Sequence, residues 1–181
     1  MIGLLVLLIL FITFYIGGRR GTALQLVYNF GYWITFTFAM LFYQGLAEKI
    51  ELYIPYLSVS EDTKMVYFDQ TTALDLDKVY YAAVAFIIIM GIGWLFTKLL
   101  AIFFNNLRFK RIFNTNDWIV GGVLSSLNAY VVIYFILAIL AMLPLDGIQD
   151  IFRNSWVADF IVAHTPILSG LFQNLWITNI L

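Results

Sequence analysis

Residues 15–24 read Tyr-Ile-Gly-Gly-Arg-Arg-Gly-Thr-Ala-Leu, and their reading decides the fold. The stretch Met1–Phe14 before them is almost wholly apolar, and the residues after them are mostly apolar or aromatic. A charged side chain at the centre of a membrane-spanning helix costs about 2.5–3.5 kcal/mol on insertion scales. Arg19 and Arg20 therefore belong at a membrane surface, with Gly17, Gly18 and Gly21 letting the chain reverse between two helices. A cleaved signal would carry its positive charge before the apolar run and a small-residue site after it. Here the charge follows, so the first segment reads as a retained transmembrane helix.

Composition agrees with that reading. The chain is 62% hydrophobic and 12% charged, with a mean hydropathy of +0.90. Soluble domains are nearer half apolar and a quarter charged. Aromatics reach 18%, a supply suited to water–lipid boundaries. A formal charge of −1 with no long basic run leaves no footprint for nucleic acid. There is no cysteine, and His164 is the single histidine, so neither a thiol site nor a histidine metal cluster is expected.

Four stretches are long enough to span about 30 Å of hydrocarbon: residues 1–18, 22–43, 79–104 and 118–143. Pro55, Pro144 and Pro166 all fall outside them, as continuous helices prefer. The expected fold is an all-α integral membrane protein, with four transmembrane helices as two antiparallel hairpins in residues 1–145. The outer loop covers residues 46–78. It opens with Leu46, Ile50, Tyr53, Ile54 and Leu57, the pattern of a short helix at the outer leaflet. Its acids, among them Glu61, Asp62, Asp69, Asp75 and Asp77, lack the order of a calcium loop and read as a solvated surface. Residues 146–181 read as an amphipathic extracytoplasmic tail of two helices separated by Thr165-Pro166.

Charge sets the orientation. Arg19, Arg20, Lys98, Arg108, Lys110 and Arg111, six of the ten Lys/Arg, flank the two predicted turns, against one acid, Asp117. The other ten acids and four bases lie in the long loop and the tail. The positive-inside rule then makes Arg19, Arg20, Arg108, Lys110 and Arg111 cytoplasmic topology anchors, with both termini extracytoplasmic.

Within the spans, Gly121, Ser125 and Ala129 recur every four residues, as do Gly122 and Ser126. Small residues at that spacing form a flat strip for close helix packing. Gly91 and Gly93 of the third span are the candidates for the facing surface. Gln25, Asn29 and Asn128 are amides in lipid, which need partners; they read as interhelical hydrogen bonds or as a polar lining. No acid or base lies deep in a span, which argues against a proton relay. No G-x-S-x-G motif or intramembrane aspartyl pair is present, so no catalytic residue, cofactor or metal is assigned and the chain reads as a non-enzyme.

The order of these features resembles the colicin V production protein (CvpA) family of bacterial inner-membrane proteins. The resemblance rests on "GGRRGTALQLVYNFGYW", on "NDWIVGGVLSSLNAYVV", on "AMLPLDG" after the last span and on the tail "RNSWVADFIVAHTPIL". It falls on Arg20-Gly21, Asp117 and Gly121, while Ser125 and Ala129 stand where that family often has Gly. It implies a non-enzymatic protein of the bacterial cytoplasmic membrane, tied to bacteriocin production or export or to envelope homeostasis. It carries over no catalytic residue. Its partners would be the lipid bilayer and either further copies of the chain or other membrane proteins. The alternative function is a small oligomeric pore or carrier, lined by Gln25, Asn29, Ser125, Ser126 and Asn128.

Overall fold

The computed structural model describes residues 2–57 and 65–180, and the acids Glu61 and Asp62 lie outside that range. Every described element is helical. The long helices are α1 (Ile2–Arg20), α2 (Thr22–Ile50), α4 (Leu76–Phe103) and α5 (Asp117–Ala141), with a short α3 (Gln70–Leu74) before α4. Two 3-10 turns, Asn105–Phe109 and Asn114–Asn116, lead from α4 to α5. The tail holds α6 (Asp146–Asn154), α7 (Trp156–His164), α8 (Leu168–Phe172) and a π-helical turn, Gln173–Thr178.

Three stretches are long and apolar enough to cross a membrane: α1, α4 and Asn114–Ala141. The helix expected as the second span is not among them. At 29 residues α2 is the longest element, but Gln25, Asn29, Gln44 and its threonines and tyrosines make it less apolar. In the tail, α7 and Leu168–Thr178 pass the same test only when taken together, as a pair bent by 64° that fits a broken span or a re-entrant loop. That pair was expected at the surface. The bend sits where the sequence puts it, beside Pro166. His164 is exposed, ends α7 and stacks on Phe160. Leu46 and Ile50, expected to open a helix of their own, are instead the last turns of α2.

The chain forms two compact units. One comprises Met1–Gly3, Met40–Ile87 and Tyr134–Leu181; the other comprises Leu4–Ala39 and Ile88–Ile133. The first has an aromatic core: Phe86 meets Tyr43, Phe135 and Trp176 at ring separations of 6.3, 5.3 and 5.6 Å. Trp176, from the tail, is fully buried, and Tyr43 donates its hydroxyl hydrogen to the Leu175 carbonyl at 2.8 Å. Gln149 organises the same unit. Its Nε2 donates to the carbonyls of Ala141 and Leu143 at 3.1 and 2.9 Å, while its Oε1 accepts from the Val66 amide at 3.0 Å. The Ala141 carbonyl, which ends α5, has no helical partner, so a buried amide takes that place.

Small residues set the packing of the second unit. Ser126 Oγ donates to the Leu10 carbonyl at 3.1 Å, the Phe14 ring lies over Gly122, and Gly17 presses on Gly121 and Ser125. These pairings run α1 antiparallel to α5. A Cβ on Gly121 would come within 2.8 Å of the Gly17 carbonyl oxygen. The partner of the Gly121 strip is therefore α1, and not the expected Gly91 and Gly93. A Cβ at Gly91 would meet nothing within 4 Å, and Gly93 packs on Thr35 of α2. Ala129, the last residue of the strip, is half-buried. Gly17 and Gly18 also depart from expectation. Both are helical, and the turn shrinks to one residue, Gly21, at φ 76°.

Helices α2 and α4 share a reciprocal contact of the same kind. Gly31 and Thr35 face Thr97 and Gly93, each glycine receiving the other helix's threonine. Each hydroxyl bonds back to its own helix, Thr35 to Gly31 O at 2.9 Å and Thr97 to Gly93 O at 2.8 Å. That leaves no hydroxyl proton to satisfy at the interface.

Candidate functional site

The polar chemistry of the second unit gathers where α1 ends and α2 and α5 begin. Asp117 is its centre, 6% exposed. One carboxylate oxygen, Oδ2, accepts from the Thr22 amide at 3.0 Å. The other, Oδ1, accepts from Ile112 and Phe113 at 2.9 and 3.2 Å. Thr22 answers by donating its hydroxyl hydrogen to the Asp117 carbonyl at 2.8 Å. An amide in the first turn of a helix has no intrahelical acceptor, so this acid caps α2 from a distance and ties down the chain entering α5. A Cβ on Gly21 would reach 2.9 Å from Asp117 Oδ2. Gly21 is thus required twice, by its positive φ and by this approach.

Around that acid lies a cleft of about 260 Å³, lined by Gly18, Arg19, Gly21, Arg108, Arg111, Asn114, Thr115, Asp117 and Trp118. Arg108 donates from Nε to the Arg19 carbonyl at 3.1 Å, closing the end of α1. Of the five predicted anchors, Arg19, Arg108 and Arg111 line the cleft, while Arg20 and Lys110 do not. Arg20 lies 4.3 Å from the Tyr28 ring centroid and reaches Gln25 at 3.5 Å. Among the described residues the ion pairs are Lys78–Asp75 and Arg153–Asp150, and none involves these five cations.

The three amides come together about one to three helical turns further in. Asn29 Oδ1 accepts from Asn128 Nδ2 at 2.6 Å and from Gln25 Nε2 at 3.2 Å. Gln25 is buried at 1% exposed. The amides thus hydrogen-bond across α2 and α5. Ser125 is buried against Gly17, and Ser126 bonds the Leu10 carbonyl.

Two residues escaped the reading of the sequence. In the sequence Thr22 marks only a span boundary, yet its amide and hydroxyl both serve Asp117. Gln149 sits inside an amphipathic stretch with nothing local to mark it. For Asp117 a signal existed, since it is the one acid among the cations of the basic turns.

The outer surface of the long helices is apolar, with Leu4 75% and Phe11 73% exposed on α1 and Ile102 67% exposed on α4. Known proteins bear on the chain in the same sense. The family described as Colicin V production protein matches residues 2–166. An uncharacterized transmembrane protein, YshB, of Bacillus subtilis (strain 168) is 28% identical over 176 residues, covering 97% of each chain. No solved structure gives a significant match. The family match takes in every long helix and the whole Asp117 cleft, and the chain is a membrane protein that belongs to the Colicin V production protein family.

Proposed function

We propose that the chain is a non-enzymatic protein of the bacterial cytoplasmic membrane, supporting production or export of a bacteriocin toxin, or envelope homeostasis, through partners or assembly. The observation that carries this reading is the family match over residues 2–166. In it α2 crosses the bilayer as a fourth span, beside α1, α4 and α5, giving two antiparallel hairpins. Its length supports this: 29 residues rise about 43 Å at about 1.5 Å each, more than the hydrocarbon core needs. Its amides support it too, because Gln25 and Asn29 enter lipid already hydrogen-bonded. The basic turns face the cytoplasm and both termini face outward.

A pore or carrier is the weaker reading. Its lining would be Gln25, Asn29, Ser125, Ser126 and Asn128, and these groups are engaged with one another or with α1. An assembly role instead asks for a free face. Gly91 offers one on α4, where an added side chain meets nothing within 4 Å.

The test has two parts. Deleting the gene in a toxin-producing host should lower secreted bacteriocin activity or raise sensitivity to detergents, with restoration by the intact gene. A photo-crosslinking residue at Gly91 should give a discrete adduct in native membranes, with a second copy or another membrane protein. Normal toxin output and normal detergent tolerance in the deletion strain would sink the proposal.

A further inference from the structure

The cleft beside Asp117 combines three properties that together specify a ligand. It is concave, with room for a small polar group, at about 260 Å³. It is cationic, lined by Arg19, Arg108 and Arg111, and its one acid is already committed. Both carboxylate oxygens of Asp117 accept backbone N–H groups, from Thr22, Ile112 and Phe113, and among the described residues no ion pair joins them to a guanidinium group. Finally, the cleft opens among apolar side chains. Trp118 forms part of its wall and is 54% exposed, and Phe109, Ile112 and Phe113 of the same connection are exposed as well.

We propose that this cleft binds the phosphate group of an anionic ligand, with Arg19 and Arg111 as its charged contacts. Guanidinium groups suit this task because their planar donors match phosphate oxygens two at a time. Arg108 has a second duty, since its Nε holds the Arg19 carbonyl and so shapes the site. Lys110 serves as an internal control. It lies between Arg108 and Arg111, carries the same charge and does not line the cleft. Two sources present the same phosphate chemistry: an anionic phospholipid headgroup, whose chains would run along the exposed apolar residues, and a soluble phosphate or phosphate monoester.

The full chain, purified in a neutral maltoside detergent, is titrated with dioctanoyl phosphatidylglycerol and with dioctanoyl phosphatidylcholine. Bound ligand is counted by native mass spectrometry. The anionic lipid should bind about 25-fold more tightly, since each of the two arginines contributes roughly a fivefold preference. Arg19→Gln with Arg111→Gln should remove most of that preference, and Lys110→Gln should leave it within about twofold. Millimolar inorganic phosphate or glycerol 3-phosphate supplies the second arm. Displacement of the lipid supports a site open to soluble phosphates, and its failure supports a headgroup site that also needs the acyl chains.

Equal binding of the two lipids by the unaltered chain would overturn the proposal. So would an equal loss in Lys110→Gln and in the arginine variants, which would make the effect a diffuse surface charge. Should the double variant unfold, Arg111→Gln alone decides. Its side chain is exposed and makes no hydrogen bond among the described residues, and a loss below about twofold would count against the site.

Discussion

Asp117 shows how much one side chain can hold. Its three N–H partners come from the first residue of α2 and from the connection before α5, and both of its oxygens are used. An asparagine at this position keeps the shape and loses one acceptor. Whichever way the amide is turned, an N–H group then faces an N–H group. Asp117→Asn is therefore expected to cost about 2 kcal/mol, the scale of a buried donor left without its acceptor. Thermal unfolding in detergent should show it, and an unchanged midpoint would mean that the cap contributes nothing. From the sequence, Asp117 stood out as the lone acid in a basic region. Its partner Thr22, 95 residues away, could not be foreseen, because no local pattern links a helix start to a distant carboxylate. Gln149 was hidden for the same reason: the carbonyls it caps belong to a helix end several residues earlier.

At the scale of the element, the paired Gly-x-x-x-Thr segments of α2 and α4 make a sharper claim than their spacing alone. A methyl group on Gly31 would overlap the Thr97 side chain, whose Cβ would lie 3.1 Å away. Gly31→Ala should then destabilise the fold by about 1–3 kcal/mol, as overpacking does. Thr97→Ala removes the hydroxyl and methyl that collide, so the double variant should recover at least about half of that loss. Additive losses in detergent unfolding would show that the two residues do not meet. The helices themselves were legible, because long apolar runs without proline have few alternatives in a membrane. Their pairing was not. A strip of small residues says that something approaches closely, but Gly121 fits an α1 glycine as well as an α4 glycine. Only the folded packing, with Gly17 against Gly121, distinguishes Gly17 from Gly93. The length of α2 was underestimated for a related reason: its polar and aromatic end fits a helix as readily as a loop.

For the whole molecule, orientation is the property that the sequence carries most openly. Six of ten Lys/Arg cluster by the two turns, and charge of that asymmetry directs insertion. The chain has no native cysteine, so single replacements report cleanly. Met65→Cys in intact cells should react with an impermeant thiol reagent, while Lys110→Cys should react only after the membrane is opened. The opposite pattern would invert the proposed topology.

The Asp117 cap also has a consequence in time. Thr22 is made early, and the carboxylate that its amide bonds to is made 95 residues later. At a synthesis rate of about 5–20 residues per second, that interval is roughly 5–20 s. Throughout it, the junction of α1 and α2 must find its hydrogen bonds in water or headgroups. The first two helices are therefore made before their own joint is complete, and the start of α5 finishes it.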